Sequence, residues 1–139
     1  MKVHVEYLGA VQFEVKTRGH TIVSDQPEAE GGFDEGMTPP ELLLASLGTC
    51  AGYYAAEYLK ARKLDTTGLS VDVVAEKAKS PSRLGAFRID VRVPQGLAER
   101  HRDGVEKAVQ SCLIHNTLLH PPSLDLRIID PSQSGKVAA

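Results

Sequence analysis

The chain has 139 residues, and its 16 basic and 18 acidic side chains give a formal net charge of -2. This length allows one domain with a real core, and the balanced charge does not favour nucleic acid or an acidic membrane surface as a partner. No apolar run has the length of a signal peptide or a membrane span, so we expect a single domain over residues 1–139, located in the cytoplasm and without a membrane partner.

The first 24 residues alternate between apolar and polar side chains, which is typical of a half-buried antiparallel sheet. The pattern predicts three short strands, with turns at Gly9 and at residues 17–20. Residues 26–37 are acidic and rich in glycine, and we expect them to form a mobile loop.

A helix is predicted from Thr38 to Lys60. Thr38 has the side chain of an N-cap, and Glu41 stands three positions later, which is the spacing of a capping box. The following residues carry no charge on any face up to Ala56, which is typical of a buried helix. Gly48 and Gly52, which flank the first cysteine, would let another backbone approach closely.

The second half of the chain predicts two more strands, a helix and a last strand. Apolar alternation predicts strands near 69–73 and 87–93, joined by a wide loop over residues 77–85. A second long helix is predicted over residues 97–119, with Cys112 on its apolar stripe.

A last strand is predicted after this helix, because Leu124, Leu126 and Ile128 alternate with polar residues. The tail from residue 132 is polar and is expected to fray. Strands grouped between two long helices indicate an α+β fold with antiparallel sheets.

The chain's two cysteines, Cys50 and Cys112, lie on the two predicted helices. One interpretation is that both are small core side chains. The other is that one thiolate is oxidised to a sulfenic acid and the other thiol captures it. A permanent structural disulfide is not expected in the cytoplasm.

The histidines show no metal-ligand spacing apart from His115, which follows Cys112 by three positions. Further ligands for a metal such as zinc are not apparent, so we predict no metal site and place His115 at a helix surface or an interface. There is no glycine-rich phosphate loop, and no cofactor is expected.

Two stretches of the sequence resemble the OsmC/Ohr family of organic hydroperoxide reductases. They are Thr-Pro-Pro-Glu-Leu-Leu-Leu-Ala-Ser-Leu-Gly-Thr-Cys at residues 38–50 and Ser-Cys-Leu-Ile-His-Asn-Thr at residues 111–117. The resemblance covers nearly the whole chain and implies that Cys50 attacks the peroxide, that Cys112 closes a disulfide, and that a dithiol reduces it. It also implies an intertwined homodimer with its two sites at the subunit interface.

The same resemblance implies two further site residues, Arg18 and Glu41. Arg18 approximately matches an arginine from the N-terminal sheet whose charge would hold the Cys50 thiolate. Glu41 matches a glutamate at the helix start, but it precedes Cys50 by nine positions, whereas better-known members have ten. Nine residues place the two side chains on opposite faces of a regular helix. The shorter spacing resembles a less characterised OsmC-like branch, and the capping box accounts for Glu41 without catalysis.

We therefore predict a thiol-dependent peroxidase that reduces organic hydroperoxides. Candidates for the walls of an apolar pocket are Leu43, Leu44, Leu47 and Tyr54. The alternative is a non-enzymatic dimer that binds an apolar small molecule in the same interface cavity.

Overall fold

The computed structural model describes residues 1–130, and the predicted polar tail lies outside them. The α+β order is confirmed. The elements are β1 (His4–Gly9), β2 (Gln12–Thr17), β3 (His20–Ser24), a 3-10 turn (Glu28–Glu30), α1 (Pro39–Ala61), β4 (Ser70–Lys79), β5 (Ser82–Arg92), α2 (Glu99–Gln110) and α3 (Leu113–Leu119). No helix in the described part of the chain is both long and apolar enough to cross a membrane.

Strands β1, β2 and β3 form the predicted antiparallel sheet in that order. The register places Val5 opposite Val15, Val15 opposite Ile22, and Tyr7 opposite Phe13. These five apolar side chains therefore share one face of the sheet. Val5 is 54% exposed and Tyr7 is 60% exposed, so residues 1–130 leave this face largely uncovered.

The loop between β3 and α1, which we expected to be mobile, is organised around the buried Asp25 carboxylate. Asp25 accepts hydrogen bonds from the backbone N–H groups of Gln26, Phe33 and Glu35 and from Gln12 Nε2, at 2.8–3.1 Å. Burial raises the pKa of Asp25, but these hydrogen bonds together outweigh it and lower the pKa below its ordinary value. The carboxylate thus fastens this loop to the first sheet.

A glycine is required where this loop folds back on itself. A Cβ atom at Gly32 would lie 1.8 Å from the Gln26 carbonyl oxygen and 2.7 Å from Asp25 Oδ1. Any side chain at this position would therefore displace backbone. The loop then leads directly into the start of α1.

The start of α1 has the predicted capping box. Thr38 Oγ1 accepts a hydrogen bond from the Glu41 N–H at 3.4 Å, and the Glu41 carboxylate accepts one from the Thr38 N–H at 2.8 Å. These bonds satisfy backbone donors that have no partner within the helix. The predicted helix and its N-cap, Thr38, are confirmed.

Only one stripe of α1 is fully buried within the described chain, although the helix is apolar all round. The buried residues are Leu47, Ala51, Ala55 and Leu59. Tyr53 is 62% exposed, because the elements that pack on α1 (α2, α3, β4 and β5) leave that side open. The expectation of burial on every side is wrong for residues 1–130 taken alone.

Strands β4 and β5 form an antiparallel hairpin that packs on α1. Only Ser80 and Pro81 separate the two strands, so the predicted wide loop is wrong. A Cβ atom at Gly48 would lie 3.1 Å from a Val73 methyl group. The glycine thus lets the helix approach a strand side chain.

The predicted second helix is two helices, α2 and α3, which are separated at Ser111 and Cys112. The Cys112 N–H bonds to the Val109 carbonyl oxygen at 2.9 Å, which tightens the last turn of α2. Cys112 then has φ -59° and ψ 132° and acts as the N-cap of α3. The apolar pattern continues across this break, so the pattern alone predicted one helix.

The predicted last strand is absent from the described residues. Leu124, Leu126 and Ile128 lie outside any helix or strand and are 95%, 87% and 93% exposed. Alternation makes a segment suited to a sheet, but a strand also needs a neighbour that completes its hydrogen bonds. No strand within residues 1–130 pairs with this segment.

Candidate redox site

The structure joins Cys50 and Cys112 in a disulfide, with Cα atoms 6.0 Å apart and a sequence separation of 62. Cys50 lies on α1, and Cys112 lies at the break between α2 and α3. α1 packs against both of these helices, which brings the two sulfur atoms together. These are the chain's only cysteines, so the pair forms a self-contained two-electron redox couple.

The two cysteines differ in their exposure to solvent. Cys112 is 0% exposed, whereas Cys50 is only partly buried. A small oxidant arriving from solvent therefore meets Cys50 first. This asymmetry suits a pair in which one thiol reacts with substrate and the other reacts only with its partner.

Glu41 is engaged at the start of the helix. Its carboxylate accepts hydrogen bonds from both the backbone N–H and the hydroxyl of Thr38, each at 2.8 Å. The backbone bond and then the hydroxyl bond lower the pKa of Glu41 below its ordinary value. No hydrogen bond joins Glu41 to Cys50 within residues 1–130, and the contacts present are those of a helix cap.

Arg18 lies at the tip of the hairpin between β2 and β3. Arg18 and Gly19 have φ values of 52° and 95°, as in the two-residue turns that join twisted strands. Arg18 lines a hollow of 470 Å³ together with Lys2, Lys16 and His20, which makes this end of the sheet basic. In the described part of the chain, no hydrogen bond or ion pair links Arg18 to either cysteine. The structure thus brings together two of the four predicted site residues, the cysteines.

Two cavities adjoin the part of α1 that carries Cys50. The larger, of 890 Å³, lies between α1 and the β4–β5 hairpin, and Leu44 lines it together with charged side chains of the strands, among them Asp72 and Arg92. The smaller, of 230 Å³, is lined by Leu47 and His115 and is mainly apolar. The predicted pocket residues Leu44 and Leu47 therefore each line a cavity.

His115, which we predicted to lie at a helix surface or an interface, is near Cys112 through its backbone. Its N–H donates a hydrogen bond to Cys112 Sγ at 3.5 Å. Its side-chain Nδ1 is enclosed and has no hydrogen-bond partner among residues 1–130. In the sequence, the signal for this contact was the spacing of three positions between Cys112 and His115. Over those residues, no group of three or more His, Cys, Asp or Glu side chains is arranged to hold a metal ion.

Three helices, two antiparallel sheets and a disulfide that joins α1 to the break between α2 and α3 define an α+β protein with a paired-cysteine site. The family model described as OsmC-like protein matches residues 32–127, which is more than half of the chain. The chain therefore belongs to the OsmC-like protein family, as its resemblance predicted. No curated protein matches the chain.

Solved structures confirm the fold. A protein from Psychrobacter arcticus 273-4, named for osmotic stress induction and a detoxification response, is 20% identical with a TM-score of 0.76, over 84% of this chain and 87% of that one. An organic hydroperoxide resistance protein OsmC from Legionella pneumophila is 16% identical with a TM-score of 0.59, over the same shares of 84% and 87%. An organic hydroperoxide resistance protein from Elizabethkingia anophelis is 22% identical with a TM-score of 0.55, again over 84% and 87%. At these identities the similarity concerns the fold.

Proposed function

We propose that this protein is a thiol-dependent peroxidase that reduces organic hydroperoxides, with Cys50 as the peroxidatic and Cys112 as the resolving cysteine. The observation that carries the proposal is the pairing of Cys50 with Cys112, whose Cα atoms lie 6.0 Å apart. Membership of the OsmC-like family supports it. The names of the Legionella and Elizabethkingia proteins point to the same class of substrate.

The reaction proceeds in two steps on the two sulfur atoms. The Cys50 thiolate attacks one oxygen of the peroxide, the O–O bond breaks, and the alkoxide leaves as an alcohol after taking up a proton. Cys50 is now a sulfenic acid, and the Cys112 sulfur attacks it with loss of water. The product is the disulfide, which a dithiol reductant in the cytoplasm returns to two thiols. The greater exposure of Cys50 supports this order, because the peroxide must reach the first thiol.

The proposal includes a homodimer, because three apolar surfaces lack a partner within residues 1–130. They are the face of the first sheet around Tyr7, the side of α1 around Tyr53, and the segment with Leu124 and Leu126. Exposed apolar surface of this extent marks an interaction site, and a second copy of the chain is the partner we propose. Light scattering at micromolar concentration should give the dimer mass, and a monomer mass would contradict this arrangement.

The proposed role of Arg18 depends on this dimer. A reactive thiolate needs a cation to offset its desolvation, and no Lys or Arg stands between Leu42 and Ala56. Because the first sheet does not pack on Cys50 within one chain, we place the contact of Arg18 with the thiolate across the subunit interface. The hydrogen bonds of Glu41 are those of a helix cap, and we assign it that structural role. A role in catalysis would require Glu41 to act through Arg18.

The test is to measure peroxide consumption and free thiols together. Reduced protein is mixed with cumene hydroperoxide, and one disulfide should form for each peroxide consumed. Cys50→Ser should abolish consumption, whereas Cys112→Ser should react once and then stop at the sulfenic acid or become over-oxidised. Turnover by both variants at the parent rate would overturn the dithiol mechanism. A parent thiol that is inert to the peroxide would favour the alternative, a dimer that binds an apolar small molecule.

A further inference from the structure

The two sulfur atoms of the disulfide differ in their access to solvent and in their hydrogen bonds. Cys112 is 0% exposed, so of the two cysteines only Cys50 has exposed surface within residues 1–130. The Cys112 sulfur accepts a hydrogen bond from the backbone N–H of His115 at 3.5 Å, and no donor bonds to the Cys50 sulfur in the same part of the chain. The disulfide therefore has one accessible end and one hydrogen-bonded end.

The enclosed position of Cys112 is fixed by the backbone of the helix break. Its N–H bonds to the Val109 carbonyl oxygen, and its own carbonyl oxygen accepts the Asn116 N–H, each at 2.9 Å. Because both backbone groups are held and the side chain is bonded to Cys50, the sulfur reaches solvent only if this region unfolds locally. A reductant that arrives from solvent thus does not meet Cys112 in the native state.

We propose that the dithiol reductant attacks the Cys50 sulfur and that Cys112 is the sulfur that leaves. A thiolate cleaves a disulfide by bonding to one of its two sulfurs, and access decides which one. The attacking sulfur approaches in line with the S–S bond, from the side opposite to the leaving sulfur. For attack on Cys50, this is the side that faces away from the buried Cys112.

This inference rests on the proposed function and describes how the disulfide returns to two thiols. The first thiolate of the reductant bonds to Cys50, the Cys50–Cys112 bond breaks, and its electron pair goes to Cys112, which then takes up a proton. The second thiol of the reductant, as a thiolate, attacks the reductant's own sulfur in this mixed disulfide. The reductant leaves as a disulfide, oxidised by two electrons, and Cys50 is released as the thiolate that the next peroxide requires.

The hydrogen bond to Cys112 supports the departure of that sulfur. Burial opposes negative charge on sulfur, whereas an N–H donor stabilises the charged form more than the neutral thiol. His115 stands at the third position of α3, so its N–H has no acceptor within the helix and is available to the sulfur. The leaving sulfur is therefore the one that already has a donor in place.

The first test locates the mixed disulfide in the parent protein. The disulfide is closed with diamide, so peroxide takes no part, and the oxidised protein is mixed with the monothiol 2-mercaptoethanol. Acid quenching, alkylation and mass spectrometry of the tryptic peptides then show which cysteine carries the adduct. We expect the adduct on Cys50 and an alkylated thiol at Cys112. An adduct mainly on Cys112, or equally on both, would overturn the proposal, whereas inertness toward hydroperoxides would count only against the proposed function.

A matched pair of variants measures the access to each sulfur separately. Cys112→Ser keeps only the Cys50 thiol, and Cys50→Ser keeps only the Cys112 thiol. A chromogenic aromatic disulfide should react about 100-fold faster with folded Cys112→Ser than with folded Cys50→Ser. Unfolding in urea should abolish this difference. Equal rates in the two folded proteins would contradict the proposed site of attack.

The donor role of His115 is tested with His115→Pro, which removes the N–H, against His115→Ala, which keeps it. Proline is tolerated in the first turn of a helix, where the backbone does not use this hydrogen. Reduction by dithiothreitol should be about tenfold slower in His115→Pro than in His115→Ala. In a Cys50→Ser background, the ultraviolet absorbance of the Cys112 thiolate should also appear at a higher pH in the proline variant, which a merely structural role would not produce.

Equal reduction rates and equal titrations in these two variants would overturn the role of the His115 N–H. Circular dichroism establishes that both proteins are folded before they are compared. The adduct formed by the parent protein decides the site of attack without any variant.

Discussion

Reduction of the Cys50–Cys112 disulfide should destabilise the fold by a predictable amount. The bond closes a loop across 62 positions of sequence. In the chain-entropy description, a cross-link of this span removes about 14 cal/mol/K from the unfolded ensemble, or about 4 kcal/mol at 25 °C. Because Cys112 is fully buried, the reduced native state must hold two thiols in the space of one disulfide. The native state therefore gains little stability on reduction that could offset this loss.

Urea unfolding at one fixed protein concentration, with and without a dithiol reductant, measures this difference. The oxidised protein should unfold at the higher urea concentration, with the two free energies differing by about 4 kcal/mol. The Cys50→Ser/Cys112→Ser double variant is the control, since its midpoint should not respond to the reductant. Equal midpoints for the oxidised and reduced parent would refute the reasoning.

Three further predictions concern other parts of the chain. Arg18→Ala should slow the reaction of Cys50 with organic peroxide about tenfold while the protein still folds, and Arg18→Lys should recover only part of the rate. Stopped-flow kinetics measures both rates, and an unchanged rate in Arg18→Ala would remove Arg18 from the site. The pKa of Asp25 is lower in the folded than in the unfolded chain, so its ionised form stabilises the fold. This stabilisation is fully present above the ordinary carboxylate pKa and is lost as the pH falls through the lower pKa of the folded state. On acidification, the urea midpoint of Asp25→Asn should therefore fall less than that of the parent. Equal falls in the two proteins would contradict this role of Asp25. Gly104→Ala should lower the free energy of unfolding by about 1–3 kcal/mol, because its Cβ would lie 1.9 Å from Tyr58 Oη. In a Tyr58→Ala background the same change should be neutral or stabilising, as measured by thermal unfolding. A stabilised Gly104→Ala single variant would disprove this packing.

The sequence predicted correctly what neighbouring residues decide among themselves. The capping box of Thr38 and Glu41 is set by atoms three positions apart, and it formed as predicted. The alternation over the first 24 residues likewise predicted a three-stranded sheet. Such features depend on local hydrogen bonds and on the period of apolar side chains, which are both present in the linear chain.

The errors occurred where distant contacts override a local pattern. The apolar period runs unbroken through Ser111 and Cys112, yet the backbone leaves the helix there and Cys112 bonds to α1. The alternation through Leu124 and Leu126 is that of a strand, but no described strand pairs with it. A pattern shows what a segment is suited to form, whereas the available neighbours decide whether it forms.

The candidate site divides in the same way. The sequence by itself identified Cys50 and Cys112 as a possible redox pair, and their motifs indicated the family. Only the packing of α1 against α2 and α3 brings their sulfur atoms together. His115 likewise lines a cavity together with Leu47, which lies far away in sequence. Residue types determine which chemistry is available, and the three-dimensional contacts between distant segments decide which of those groups meet.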